Sequence, residues 1–179
     1  LRAAAEPEER RKGAGSEPPK GQRRAGAISP GSWSFQEAGE PAMPKLNGIV
    51  ETAIHAEDMV RSRAFYEGVL GLESIFSDKR LSAYAIGGRD VLLVFRKGAT
   101  GETVSLASGT IPGHAGDGTL HLAFAIDRDE LGRWEEHLAS QGVAVEGRND
   151  WSRGGRSIYF RDPDGHLLEL ATPGLWSVY

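Results

Sequence analysis

Val50, Thr52, Ile54 and Ala56 alternate with Glu51, Ala53 and His55, a two-residue period that predicts a strand opening at about residue 48. Asp58 follows as a candidate N-cap. Met59/Val60, Ala64/Phe65 and Val69/Leu70 then recur at helical spacing as far as Gly71. Three short extended segments come next, near residues 72–77, 80–86 and 90–97, with Gly87-Gly88 supplying a hairpin signal. The second half opens on a cleaner alternation, Leu120, Leu122, Phe124 and Ile126 against His121, Ala123 and Ala125. Asp127 with Glu130 reads as a capping box, Leu131, Trp134 and Leu138 form a helical stripe, and Gly142 ends it. Strands are predicted at 143–147, 156–161 and 166–172. Asp162-Pro163-Asp164-Gly165 joins the last two, its Pro presetting the turn and its Gly accepting positive φ.

Both halves thus read strand, helix, then three strands, with Glu51 and His121 at equivalent places 70 residues apart. The expected fold is α+β, with two βαβββ modules at 47–97 and 119–174 joined by a Gly-rich linker, 98–118, within a body spanning 46–179. Each module buries one sheet face under its helix. The other faces would line a cup-shaped, partly open, eight-stranded mixed sheet.

Composition narrows the chemistry. The 179 residues include no cysteine, which excludes disulfides, thiolate metal sites, iron–sulfur ligation and cysteine nucleophiles, so any metal must be held by His, Asp or Glu. No apolar run approaches the roughly 20 residues of a membrane span, and the expectation is a soluble, cytoplasmic protein without a membrane partner. Residues 46–179 hold 13 Lys/Arg against 19 Asp/Glu, a net of −6, and show no basic-aromatic groove pattern. A nucleic-acid partner is therefore not expected.

If the apolar faces meet the helices, the cup is lined by Glu51, Ala53 and His55, by His121, Ala123 and Ala125, and by Leu167, Glu169 and Ala171. Glu51, His121 and Glu169 then place two carboxylates and an imidazole on three strands with small neighbours, a candidate open metal site. From the residues alone, the simpler explanation comes first: polar side chains on a solvated sheet face. His55 shares the face of Glu51 but lies four residues on, about 13 Å along a strand, too far to share its ion. It is a candidate substrate contact or a rim residue. His114, His137 and His166 are not first-choice ligands.

Three stretches carry a resemblance: Glu51 through Asp58, Phe65-Tyr66 and Gly71-Leu72; His121 through Phe124; and Tyr159 through Asp162-Pro163-Asp164-Gly165 to Glu169. Together, over about 47–174, they resemble the vicinal oxygen chelate superfamily of glyoxalase I, bleomycin-resistance proteins, fosfomycin-resistance enzymes and extradiol dioxygenases. The resemblance implies paired βαβββ modules around one divalent metal, with Glu51, His121 and Glu169 as ligands. Many members carry His or Gln where this chain has Glu51. Two carboxylates with one His favour Mn²⁺, Fe²⁺ or Mg²⁺, leaving Zn²⁺ and Ni²⁺ open.

The reaction implied is metal-dependent stabilisation of an oxyanion or enolate on a small-molecule substrate, by a lyase, isomerase or dioxygenase. Glu169 or Glu51 would be the base of a glyoxalase-like reaction, although Val91–Phe95 is apolar where glyoxalase I has a further ligand. Tyr159, ten residues before Glu169, matches the substrate-contacting Tyr of extradiol dioxygenases, whose acid/base His has no counterpart between Val143 and Trp151. A strand aromatic packed at the cup's mouth accounts for Tyr159 equally well. Arg80, Arg96, Arg153 and Arg156 are scattered and make no evident anion cluster. The alternative is a non-catalytic protein that sequesters a drug or antibiotic, with Trp151 and Tyr159 stacking on the ligand. Family resemblance also implies a homodimer. Whether modules pair within or between chains stays open.

The first 45 residues differ from the rest, with six of the nine prolines, 8 Lys/Arg against 6 Asp/Glu and no hydrophobic period. They are expected to be disordered. The Arg10-Arg11 and Arg23-Arg24 pairs suit an anionic partner, and Glu6, Glu8, Glu9 and Glu17 argue against a transit peptide. Because Met43 directly precedes the patterned sequence, we expect translation to begin there. N-terminal sequencing of the native protein checks this, and a peptide from residues 1–40 would refute it.

Overall fold

Alternation becomes burial in β1 (Glu51–Ala56), where Ile54 and Ala56 turn inward and Glu51 and Thr52 stay exposed. Asp58 caps α1 (Met59–Arg63) by accepting from the backbone N–H groups of Val60 at 2.8 Å and Arg61 at 3.2 Å. The rod continues as a π-helical stretch, Ala64–Val69, that buries Phe65 and Tyr66. β2 (Glu73–Ser77), β3 (Leu81–Ile86) and β4 (Asp90–Arg96) follow. Gly87 and Gly88, with φ of 58° and 76°, make the β3–β4 turn in a conformation other residues adopt only under strain. β4 returns parallel to β1 with Val91 beside Glu51, giving the order β1-β4-β3-β2.

The computed structural model describes residues 43–179, and residues 1–42 of the expected tail lie outside them. Within the linker, β5 (Val104–Leu106) and β6 (Gly109–Ile111) form a hairpin that the periodicity did not predict. The second module then repeats the first: β7 (His121–Ala125), α2 (Leu131–Ser140), β8 (Gly147–Asp150), β9 (Arg156–Arg161) and β10 (Leu167–Ala171), in the order β7-β10-β9-β8. Two local expectations shift. Val143 and Val145 pack against the core before the strand begins at Gly147, so β8 lies later than 143–147. Asp127 makes no side-chain cap; a 3₁₀ turn, Arg128–Glu130, leads into α2, and Glu130 pairs with Arg133.

The two modules share one core. Ile54, Tyr66, Tyr84, Leu92 and Val94 of the first meet Leu138, Ile158, Phe160, Leu168 and Leu170 of the second. At this junction Tyr66, fully buried, donates from its hydroxyl to Asp162 Oδ2 at 2.8 Å. Asp162 Oδ1 accepts the backbone N–H groups of Asp164 at 3.0 Å and His166 at 2.8 Å. His166 in turn accepts from Leu120 N at Nδ1, 3.0 Å, which fixes its remaining proton on Nε2, where it donates to His55 O at 2.8 Å. Asp164 Oδ1 takes Glu57 N and Arg61 Nη2 at 3.0 and 3.1 Å. The Asp162–Gly165 turn is thus a polar clamp between modules. Burial, then Asp162, pushes the Tyr66 phenol far above its usual value, so the donor stays protonated.

The linker folds back on His55. Thr100, nearly buried, lies 3.3 Å from His55 Nε2, and Thr100 O accepts His114 N at 2.7 Å. Gly116 approaches so closely that a Cβ there would stand 2.8 Å from His55 Nδ1. Burial first, and then His114 and His166, hold the His55 imidazole below its ordinary value.

Two stability predictions follow from these contacts. Tyr66→Phe should lower unfolding free energy by about 1–3 kcal/mol in urea titrations, because a buried Asp162 oxygen loses its donor. The folded state disfavours charged His55, so its contribution is present above the unfolded pKa of about 6.5 and lost as pH falls below it. Thermal unfolding midpoints should accordingly drop less in His55→Gln than in wild type between about pH 7 and pH 5.5.

Candidate metal centre

The turn after Arg161 sets the β9–β10 register, so ten residues of sequence become one cross-strand pair, Tyr159 beside Glu169. β7 runs parallel on the other side of β10, with His121 opposite Leu167. The Glu169 carboxylate, 5% exposed, is consequently gripped from both sides. His121 Nε2 lies 3.1 Å from Oε2, and the Tyr159 hydroxyl donates to Oε1 at 3.1 Å. Burial, and then the Glu169 charge, raises the Tyr159 phenol above its usual value, keeping it a proton donor.

The chemistry of this donor set fits a cation. His121 Nδ1 lies 3.1 Å from the Leu167 carbonyl, which only accepts, so that nitrogen carries the proton. In the neutral ring Nε2 then presents a lone pair to a carboxylate oxygen. Two acceptors at hydrogen-bond distance leave a place between them for a shared proton or a metal ion. A carbonyl-oriented imidazole beside a buried carboxylate is also how metal-ligating His side chains are commonly held.

Glu51 is not part of this group within one chain. It is exposed on β1 beside apolar Val91, and among the described residues no three His, Asp or Glu side chains converge as a metal site. Of the residues singled out by sequence, His121, Tyr159 and Glu169 are brought together and Glu51 stands apart. His55 lies under the linker, outside both cavities that Glu51 lines, the second of which, about 520 Å³, Glu51 shares with Leu122, Ala123, Phe124 and Ala125 of β7. Trp151, half-buried just past β8, donates from Nε1 to Ser157 Oγ at 2.8 Å.

Sequence reading missed the clamp formed by Asp162, Asp164 and His166, and the cavity of about 410 Å³ between the first sheet and the β5–β6 hairpin, lined by Arg80 and His114 among others. Val104 and Leu106 alternated on one side of Ser108-Gly109, but strands of three residues are too short for periodicity to register.

The model of the Glyoxalase/Bleomycin resistance protein/Dioxygenase superfamily matches residues 48–170. A metallothiol transferase FosB of Bacillus licheniformis is 31% identical over 129 residues, 72% of this chain and 77% of that protein. The crystal structure of lactoylglutathione lyase from Agrobacterium tumefaciens superposes with a TM-score of 0.68 at 29% identity, covering 75% of this chain and 99% of the other. The fosfomycin resistance protein FosX from Mesorhizobium loti superposes with a TM-score of 0.52 at 25% identity, over 73% of this chain and 96% of its own. The family match spans Glu51, His121, Tyr159 and Glu169 and takes in both sheets, and the chain belongs to the Glyoxalase/Bleomycin resistance protein/Dioxygenase superfamily.

Proposed function

We propose that this protein is a metal-dependent enzyme that stabilises negative charge on an oxygen of a small-molecule substrate, at a site completed by a second copy of the chain. The buried Glu169 carboxylate, held between His121 and Tyr159, carries the reading. The activities of the relatives, a metallothiol transferase and a lactoylglutathione lyase, support it.

The need for a second copy follows from the separation of Glu51 from the pair. β1 and β7 are edge strands of their sheets, and Ile49 and Val50 beside β1 are 76% and 73% exposed. Because Glu51 and His121 occupy equivalent places in the repeat, a two-fold arrangement setting β1 of one copy against β7 of another brings Glu51 to the foreign His121–Glu169 pair.

A divalent ion held by Glu51, His121 and Glu169 would act as a Lewis acid toward a substrate oxygen. Leu167 O fixes the ring orientation of His121, and Ala123, Ala125 and Ala171 share the strands of the site without bulk. Tyr159 holds its proton at Oη, where it donates to Glu169 Oε1, and would turn that hydrogen bond to a substrate oxygen as it gains charge. Glu169 or Glu51 is the carboxylate placed to remove a carbon-bound proton next to a carbonyl. A redox-neutral reaction of the lyase or isomerase kind is favoured over dioxygenation, since no His lies between Val143 and Trp151. The Bacillus licheniformis relative favours a second reading, thiol transfer to a small electrophile, which would use the same charge stabilisation.

Purified protein should take up one divalent ion per chain by elemental analysis; failure to bind any after reconstitution rejects the enzyme and leaves the sequestering alternative. Glu169→Ala should abolish uptake, and metal retained there refutes the ligand assignment. Tyr159→Phe should keep the metal and lose about a hundredfold in turnover, assayed on α-ketoaldehyde thioadducts and on thiol–electrophile pairs. A mixed dimer of Glu51→Ala with Glu169→Ala should regain one of two metal sites, whereas metal in neither would refute sharing between copies.

A further inference from the structure

The cavity beside Glu51 has two chemically different ends. Ala53, Leu81, Leu93 and Phe95 form its sheet side, and Val104 and Ile111 face them from the β5–β6 hairpin. Glu51 lies in the register row of Val91 and Ala85, whereas Leu81 lies in the row of Phe95 and His55, four residues further along the strands. Arg80, directly before Leu81, therefore enters the lining about 16 Å along the sheet from Glu51.

Arg80 is half-buried, and its guanidinium makes no hydrogen bond or ion pair among the described residues. Its sequence neighbour Asp78 makes no ion pair with it, although backbone hydrogen bonds first, and then the Arg80 charge, hold the Asp78 carboxyl below its usual value. The Asp78 carboxylate accepts the backbone N–H groups of Arg80 at 2.7 Å and Leu81 at 2.8 Å. Glu102 lines the same cavity without pairing with Arg80. Several other cations are paired, Lys97 by Glu57 and Asp117, Arg156 by Asp150, and Arg161 by Glu146, whereas Lys79, Arg96 and Arg153, like Arg80, make no ion pair among the described residues, and of these four only Arg80 lines the cavity. A planar fork of donors beside an apolar wall matches a carboxylate attached to an apolar body.

We propose that the cavity takes the apolar body of a monoanionic substrate and that Arg80 selects its anionic end, directing the other end to Glu51. This rests on the metal reading for the direction of the substrate, but not for its binding. The full-length protein, stripped of metal so that no ion can hold a carboxylate, is titrated calorimetrically with 4-phenylbutanoate and with its neutral match, 4-phenylbutan-1-ol. The carboxylate should bind about tenfold more tightly, a charge-assisted preference. Arg80→Met should reduce the ratio to about one, and Arg80→Lys should restore part of it. Leu93→Trp, which fills the cavity, should weaken both ligands, with circular dichroism confirming that each variant is folded. Equal binding of the two probes by wild type, no binding of either, or a preference that survives Arg80→Met overturns the proposal. Because the comparison is made without metal, a protein that never takes up an ion rejects the metal reading while still reporting on Arg80.

Discussion

The carboxylate of Asp162 carries the connection between the two halves of this protein. One oxygen shapes its own turn by accepting the N–H groups of Asp164 and His166, and the other receives the hydroxyl of Tyr66, 96 residues earlier in the chain. The group is almost fully buried, so every bond it makes is formed away from competing water. Each neighbouring side chain repeats the theme: Asp164 reaches Glu57 and Arg61, and His166 reaches the His55 carbonyl. A turn that could have been only a strand connection thereby fixes where the helix of the first module meets the sheet of the second.

That clamp decides which faces are spent. Once Tyr66 sits on Asp162, the apolar faces of both sheets close on one core, and Tyr84, Leu92, Ile158 and Leu168 become almost inaccessible. The concave faces and the β1 and β7 edges are left over. Glu51 is on one concave face and the His121–Glu169 pair on the other, and among the described residues of one chain no three His, Asp or Glu side chains converge. On the proposed reading, assembly of two copies and completion of the site are then the same event, and open sheet edges are tolerated because they have a defined partner.

The linker has its own part in the chemistry of the first sheet. Thr100, His114 and Gly116 lie over His55, which removes that imidazole from the substrate space and leaves the β5–β6 hairpin to roof the stretch next to Glu51. A close approach of this kind needs Gly116, because any Cβ would meet the ring. The Gly-rich composition of residues 98–118 therefore has a packing reason at this point, beyond spanning two modules.

Local pattern determined a great deal. Periodicity alone marked most strands, the two helices and the repeat, because each depends on residues a few positions apart. The adjacency of Tyr159 and Glu169 was legible for the same reason: a tight Asp162–Gly165 turn leaves one register for the strands it joins. Sequence resemblance named the ligand candidates, and their position on inward-facing strand residues was readable from alternation. The fate of Glu51 and His55 was not. Alternation states that a side chain lies on the polar face of its strand, but not what that face meets, and the answer depended on a clamp between residues 96 apart and on a linker folding back over one ring. The sequence by itself determined the modules and their apolar faces. Only the tertiary structure decided that the modules of one chain join through those apolar faces and leave Glu51 apart, since that choice rests on long-range hydrogen bonds that no local period encodes.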